Sequence, residues 1–268
     1  MSQLFKLNII LFYFLSLFLL FFLFYIVVME LFNWDKSIEI YAEKKNEPLS
    51  LYYDFYNVAT HFKNVYEPAD DTFLLIDSIA NDITAGALAN KKEIKSIELG
   101  CGNGLVSCCY LGKAKENIID IKEHYCVDIN KDAIELTKNL IEHYEFNATF
   151  IESNLFDNVD NKEGFDVIIF NPPYVTTDDD EYQRALKDKD IYASWAGGKK
   201  GSETIFKFLD QLKNNIKQNG ILYLLLSKEN EYHTIISRIK NECGFDFDVL
   251  MKKRAKNERL AVFKFYKK

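Results

Sequence analysis

Residues 165–183 read FDVIIFNPPYVTTDDDEYQ. The apolar run 165–170 fits a buried strand, and it stops at Asn171-Pro172-Pro173-Tyr174. The chain has four prolines and places two of them here. Proline fixes φ and removes an N–H donor, so the pair holds a rigid turn whose carbonyls point away from any ladder. Asn171 adds a side-chain carbonyl beside them. Two carbonyls in fixed positions can accept both hydrogens of a planar NH₂ group, and Tyr174 offers a ring face on which that group can lie. Methyl transfer to an amide-type nitrogen needs such a seat. The lone pair of that nitrogen is delocalised, and holding both N–H bonds favours charge build-up on nitrogen as the methyl arrives.

Two more groups of residues suit a methyl donor. Residues 98–104, ELGCGNG, form a glycine-rich turn led by an acid. Its spacing is G-x-G-x-G, not the G-x-G-x-x-G of dinucleotide sites, and it lets backbone approach a ligand closely. Asp128 ends CVDIN, where a carboxylate can accept both hydroxyls of a ribose and can also cap the helix that follows. A nucleoside ligand that needs no phosphate cradle fits S-adenosyl-L-methionine.

These groups need a scaffold that brings strand ends together. From about residue 65 the chain alternates strand and helix patterns. Helical spacing marks TFLLIDSIAND, capped by Asp71 or Asp70. The strand candidates are IKSIEL (94–99), HYCVDI (124–129), NATFIES, FDVIIF and ILYLLLS. Between them lie the helix candidates NGLVSCCYLG, KDAIELTKNLIEHY and SETIFKFLDQLKNNI, the last ended by Asn219-Gly220. EYHTIISRIKNEC forms a helix closed by Gly244, and FDFDVLMKK and RLAVFKFYK finish as two strands. Strands spaced by helices imply a parallel sheet covered on both faces, here with an antiparallel hairpin at one edge. Ligands then bind at the carboxyl ends of the strands, where the strand order reverses.

The chain has 268 residues and a net charge of −7, with only four arginines among 33 basic residues. Such a balance disfavours a protein that grips nucleic acid unaided. The five cysteines have no C-x-x-C spacing, so no metal site is expected in this chain. Residues 9–28 are twenty residues without a charge, enough for a helix of about 30 Å, the thickness of a bilayer core. Two readings stand for residues 1–28: a membrane anchor, or an over-extended gene model with translation starting at Met29. Residues 29–63 read as a linker.

ELGCGNG, CVDIN and NPPY together resemble the class I S-adenosylmethionine-dependent methyltransferases. NVYEPADDTFLLIDSI (64–79) and SWAGGKKGSETIFKF (194–208) are similar to the HemK family of release-factor glutamine methyltransferases, in particular its eukaryotic-archaeal branch. The resemblance runs from residue 64 through LYLLLSKEN (222–230) to the C-terminus. It implies a Rossmann-like domain over 64–268, with a mostly parallel seven-stranded sheet and helices on both faces. It also implies roles for single residues. Thr72 closes over the methionine part of the cofactor. Glu98 and Gly100 lie at its amino-acid end, Gly102 and Gly104 of the turn also bind the cofactor, and Asp128 holds the ribose. Asn154 and Leu155 meet the adenine, with Asn154 where the family often has Asp. Asn171 and the Pro172 carbonyl hold the acceptor amide, with Pro173, Tyr174 and Trp195 shaping its pocket.

The implied reaction is N5-methylation of the glutamine in the GGQ loop of the class-I translation termination factor, a cytoplasmic role. N6-methylation of adenine uses the same seat, but a duplex-acting enzyme flips its base and adds a basic surface or a recognition domain. Histone lysine methylation is a third acceptor class, for which the sequence shows no dedicated base. The family branch works with a small zinc-binding activator protein as a heterodimer. The third strand, near Phe150 and Ile151, is expected at the sheet edge. Leu155 and Phe156 are expected to extend an apolar surface there for strand addition, unless residues 30–64 cover it.

Overall fold

The computed structural model describes residues 63–255 and 258–267. Residues 1–62, with the apolar block 9–28 and the expected linker, lie outside the described residues. Among the described residues no helix is long and apolar enough to cross a membrane.

The elements run α1 Asp70–Thr84, β1 Ile94–Leu99, α2 Leu105–Glu116, β2 Ile121–Asp128, α3 Lys131–His143 and β3 Thr149–Glu152. They continue as β4 Phe165–Phe170, α4 Asp179–Asp188, a 3₁₀ turn Ile191–Ser194, α5 Glu203–Asn215 and β5 Ile216–Ser227. The chain ends with α6 Tyr232–Arg238, β6 Asp246–Ala255 and β7 Glu258–Tyr266. One seven-stranded sheet has the order β3-β2-β1-β4-β5-β7-β6. Its first five strands are parallel, and β7 runs antiparallel to both β5 and β6. β1, β4 and the second half of β5 are buried almost without interruption, as strands covered on both faces must be. The order reverses between β1 and β4, so their carboxyl ends, Leu99 and Phe170, paired in register, open the crevice where a ligand fits.

Several boundaries differ from the sequence expectation. Ala69 is the N-cap of α1, and Asp70 and Asp71 lie in its first turn, where carboxylates oppose the positive helix end. α5 ends at Asn215, because Ile216 joins the sheet opposite Phe165; residues 217–220 bulge out, and regular pairing resumes at Ile221 opposite Val167. α4 is a helix that the apolar pattern did not announce. Asp178 caps it by accepting from Glu181 N–H, and only Tyr182 and Ala185 are buried. β3 is the edge strand as expected, but Leu155 and Phe156 do not extend an exposed apolar surface. Both are buried, and Phe156 stacks on Phe208.

Candidate active site

The crevice holds a cavity of about 460 Å³, lined from five strand ends and the loops after them. Its floor is the turn after β1. Asp128 Oδ2 accepts from Gly102 N–H at 2.9 Å and Oδ1 accepts from Asn130 N–H at 2.8 Å, which ties the glycine turn to the end of β2. Burial pushes the Asp128 carboxyl up, and these backbone donors pull the other way. The cap of α3 is Asn130, whose side chain accepts from Asp132 N–H, so capping does not occupy Asp128. Gly104 does not line the cavity. It starts α2 at φ +80°, and a Cβ there would lie 2.9 Å from Thr137 Cα, so its part is the close approach of α2 and α3.

Glu98 is 2% exposed, yet it lines the cavity. Ser107 donates to its Oε2. Burial pushes the carboxyl up to about 8, helped by nearby Asp128 and opposed by Ser107. Gly100 lines the same wall, and so do Asn154 and Leu155 on the far side. Leu155 has φ +52°, a conformation that costs a bulky residue energy and recurs in loops shaped around ligands.

The segment before α1 forms a second wall. Asn130 Nδ2 donates to the Asn64 carbonyl at 2.8 Å, and Asn103 Nδ2 donates to that of Tyr66 at 3.3 Å. These bonds bring Tyr66 edge-on to Trp195, with ring centroids 6.0 Å apart. Thr72 is buried at the start of α1, where its hydroxyl accepts from Ala69 N–H at 3.3 Å.

Asn171, Pro173 and Tyr174 line the cavity at the end of β4, and Pro172 is buried behind them. Asp71 bonds two partners: Oδ1 accepts from Thr72 N–H at 2.8 Å, and Oδ2 accepts from Asn171 Nδ2 at 2.9 Å. The Asn171 amide is therefore oriented. Its Oδ1 is buried and has no hydrogen-bond partner. A buried carbonyl left unsatisfied costs about 1–3 kcal/mol, which a donor in the cavity would recover.

The turn itself is braced from outside. Val175 pairs with Ala196, and Asn230, fully buried after β5, donates Nδ2 to the Tyr174 carbonyl at 2.8 Å and to the Gly201 carbonyl at 2.8 Å. Gly201 sits at φ +64°, where a Cβ would come within 2.2 Å of the Tyr174 oxygen. Tyr174 donates its hydroxyl to Glu258 Oε2 at 3.2 Å, and burial first, then Asp71 and Glu258, keep that phenol neutral. Trp195 lines the cavity half-buried, its Nε1 3.4 Å from Glu181. No cluster of His, Cys, Asp and Glu among the described residues could hold a metal ion.

Thus eleven of the thirteen residues singled out in the sequence line one cavity, and Gly104 and Pro172 stand behind it. The sequence reading missed Tyr66, Asp71, Asn103, Asn130, Asn230 and Glu258. Asp71, beside Thr72 in EPADDT, and Asn103, inside the glycine turn, were open to notice. Glu258 comes from the far end of the chain and carries no local signal, and Asn230 lies inside the resembling stretch LYLLLSKEN without a role read for it.

Comparison with known proteins places the chain. A family model described as the methyltransferase small domain matches residues 76–187. The eRF1 methyltransferase catalytic subunit mtq2 of Schizosaccharomyces pombe is 32% identical over 216 residues, which cover 77% of this chain and 90% of the relative. Methyltransferase HEMK2 of Homo sapiens is 32% identical over 211 residues, covering 77% and 91%. Among solved structures, the E. cuniculi Mtq2–Trm112 complex, described as responsible for methylation of the eRF1 translation termination factor, superimposes with a TM-score of 0.54 at 23% identity. That match covers 76% of this chain and 99% of the other and shows a shared fold.

Proposed function

The chain belongs to the HemK family of class I methyltransferases, and on that premise we propose that it methylates the side-chain N5 of the glutamine in the GGQ loop of the class-I translation termination factor. S-adenosyl-L-methionine is the proposed donor. The residues present suit it: an acid and left-handed glycines at the end of β1, a carboxylate at the end of β2, and a cavity that joins both to Asn171. Glu98 and Gly100 would hold its amino-acid end, Asp128 the ribose, Asn154 and Leu155 the adenine, and Thr72 would close over it. When bound, the cofactor supplies a sulfonium methyl, an electrophile that needs only an aligned nitrogen.

The observation that carries the acceptor assignment is the buried, unpartnered Asn171 Oδ1 beside an amide nitrogen held by Asp71. A glutamine NH₂ placed there gives one hydrogen to Asn171 Oδ1 and the other to the Pro172 carbonyl. Tyr174 and Trp195 then orient the amide plane. Holding both N–H bonds on carbonyl oxygens stabilises the positive charge that develops on nitrogen during transfer. Tyr174, kept neutral, presents a ring and not a phenolate to that charge.

Residues 64–268 are proposed as the catalytic domain, working in the cytoplasm where the termination factor acts. Its proposed partner is a small zinc-binding activator protein, added at the edge strand β3. Phe150 and Ile151 lie there, half-exposed, on a strand that pairs on one side only among the described residues. The test offers the activator-bound enzyme a GGQ-loop termination factor and an adenine oligonucleotide side by side. Methylated glutamine, lost on the order of 10²-fold in Asn171→Ala while cofactor binding survives, is the expected result. Methylation of the oligonucleotide and not of the protein would overturn it.

A further inference from the structure

Beneath the cofactor wall, Glu98 leads into a line of buried polar groups, Ser107, His124 and Ser96, that the transfer reaction does not use. Glu98, Ser107, His124 and Ser96 are each no more than 2% exposed. Ser107 Oγ bonds Glu98 Oε2 on one side and lies 2.8 Å from His124 Nε2 on the other. His124 Nδ1 lies 2.9 Å from Ser96 Oγ, which is 3.3 Å from the Glu123 carbonyl. The line thus starts at the cavity and ends inside the sheet. His124 is neutral throughout, because burial pulls it down to about 3.

Protons can fill this line in two complete ways. With Glu98 neutral, its O–H donates to Ser107, Ser107 donates to His124 Nε2, His124 donates from Nδ1 to Ser96, and Ser96 donates to the Glu123 carbonyl. With Glu98 ionised, the bonds from Glu98 to Ser96 reverse, and Ser96 gives up its bond to the Glu123 carbonyl, which cannot donate. Ser107 donates to Glu98, His124 donates from Nε2 to Ser107, and Ser96 donates to His124 Nδ1. The first arrangement holds four protons on these groups and the second three, so passing between them costs the chain one proton and moves the ring proton of His124 from Nδ1 to Nε2. Cys126, whose Sγ lies 3.4 Å from Ser107 Oγ, can donate in both.

We propose that this line is a cofactor-linked proton switch: the ammonium group of the cofactor's amino-acid end, bound beside Glu98, ionises it, releases one proton to solvent and turns His124 to its Nε2–H tautomer. The proposal rests on the reading of Glu98 as the residue at the amino-acid end of the cofactor. The groups facing Glu98 leave it the titrating member. Burial pushes the thiols of Cys101 on the turn, Cys109 on α2 and Cys126 on β2 up, so they stay neutral. The Tyr110 phenol, on the ring that packs 5.4 Å from His124, is likewise pushed up by burial. Asp128 is the facing carboxylate, and its charge opposes ionisation of Glu98 until a cation arrives. Cofactor binding therefore weakens as pH falls, approaching tenfold per unit below the pKa of the free enzyme's Glu98.

The test uses activator-bound enzyme with ¹⁵N-labelled histidine rings, titrated with S-adenosyl-L-methionine and with S-adenosylhomocysteine at about pH 6.5. The His124 signals, assigned by their loss in His124→Gln, should pass from the Nδ1–H to the Nε2–H pattern. Calorimetry in buffers of different ionisation enthalpy should find about one proton released per site. In Glu98→Gln, which cannot ionise, linked proton release should vanish and the His124 tautomer should be the same with and without cofactor. Ser107→Ala should uncouple the His124 tautomer from binding while cofactor still binds. Normal binding heat with one unchanging His124 tautomer, or a tautomer change that persists in Glu98→Gln, would overturn the switch and leave the cofactor reading intact. No binding heat at all would remove the cofactor reading and the switch with it.

Discussion

Asp71→Asn tests the acceptor geometry without removing any group proposed to touch substrate. In the native site Asp71 Oδ1 accepts from Thr72 N–H at 2.8 Å and from the Thr72 hydroxyl at 3.4 Å, and Oδ2 accepts from Asn171 Nδ2 at 2.9 Å. An asparagine at position 71 has one oxygen and one NH₂, so it can replace only one of these oxygens in kind. If its oxygen stays with the Thr72 backbone, its NH₂ meets the Asn171 NH₂. Asn171 then turns its amide over, gives its oxygen to residue 71 and presents NH₂ to the cavity. The seat loses an acceptor and gains a donor that opposes the incoming glutamine N–H. Losing a hydrogen bond with a charged partner is worth about 1.5–3 kcal/mol, which corresponds to roughly 10- to 150-fold in kcat at saturating cofactor and substrate. The assay is single-turnover methyl transfer to the termination factor, with cofactor Kd and Tm measured on the same preparation. Both controls should stay near wild type, because the helix start keeps its backbone bond and the glycine turn is untouched. A kcat within about twofold of wild type, with both controls unchanged, would show that Asp71 does not set the Asn171 amide, and the orientation argument would fail.

Three further outcomes follow from the same contacts. Gly201→Ala puts a Cβ within 2.2 Å of the Tyr174 oxygen on a left-handed residue, so the turn must shift; thermal unfolding should show a loss of roughly 1–3 kcal/mol, and transfer should fall more than cofactor affinity. Glu98 holds its proton in the folded protein up to about 8 against an ordinary 4.5, so its ionisation favours the unfolded chain, and the stability it contributes is present below about 4.5 and lost as pH rises toward 8. Glu98→Gln cannot ionise; in the cofactor-free protein its Tm should therefore exceed wild type at about pH 8, with the difference closing at about pH 4.5, and parallel Tm curves at both ends would contradict the burial argument. Phe150→Asp, on β3 at the edge of the described sheet, should abolish co-purification with the activator at little cost to the Tm of the catalytic chain; an intact heterodimer would put the partner elsewhere.

Much of the scaffold could be read from the chain, for a physical reason. β1 and β4 lie where the sequence pattern put them, residue for residue, because strands buried on both faces leave little room for another reading. β2 begins three residues before its apolar stretch, since Ile121, Lys122 and Glu123 lie at its less buried start. α4 escaped because it buries only Tyr182 and Ala185 among charged residues. Leu155 and Phe156 looked like exposed edge residues and are core, because the turn after β3 folds back beneath α5, a tertiary fact with no local trace. The site follows the same division. Glycines, Asp128 and the Asn-Pro-Pro-Tyr turn announce themselves by type and spacing. Glu258 and Asn230 act on Tyr174 through bonds spanning 84 and 56 residues, which only the folded chain shows.

The two prolines after β4 are only part of what holds the acceptor seat. They remove N–H donors from the turn and so free its carbonyls, but a free carbonyl is also free to move. Four groups of the turn are fixed, each by a different segment. Asp71 from α1 takes the Asn171 NH₂, Asn230 after β5 takes the Tyr174 carbonyl, Glu258 at the start of β7 takes the Tyr174 hydroxyl, and the Val175–Ala196 bridge anchors the exit. One acceptor, Asn171 Oδ1, is left buried without a partner. With every neighbour held, that oxygen cannot swing to find one, and its unmet demand of about 1–3 kcal/mol persists until a donor enters the cavity. Methyl transfer to a weakly nucleophilic amide benefits from that rigidity. An acceptor oxygen already in place needs no reorganisation as charge develops on nitrogen, and preorganised electrostatics of this kind supply the largest part of many enzymes' rate enhancement.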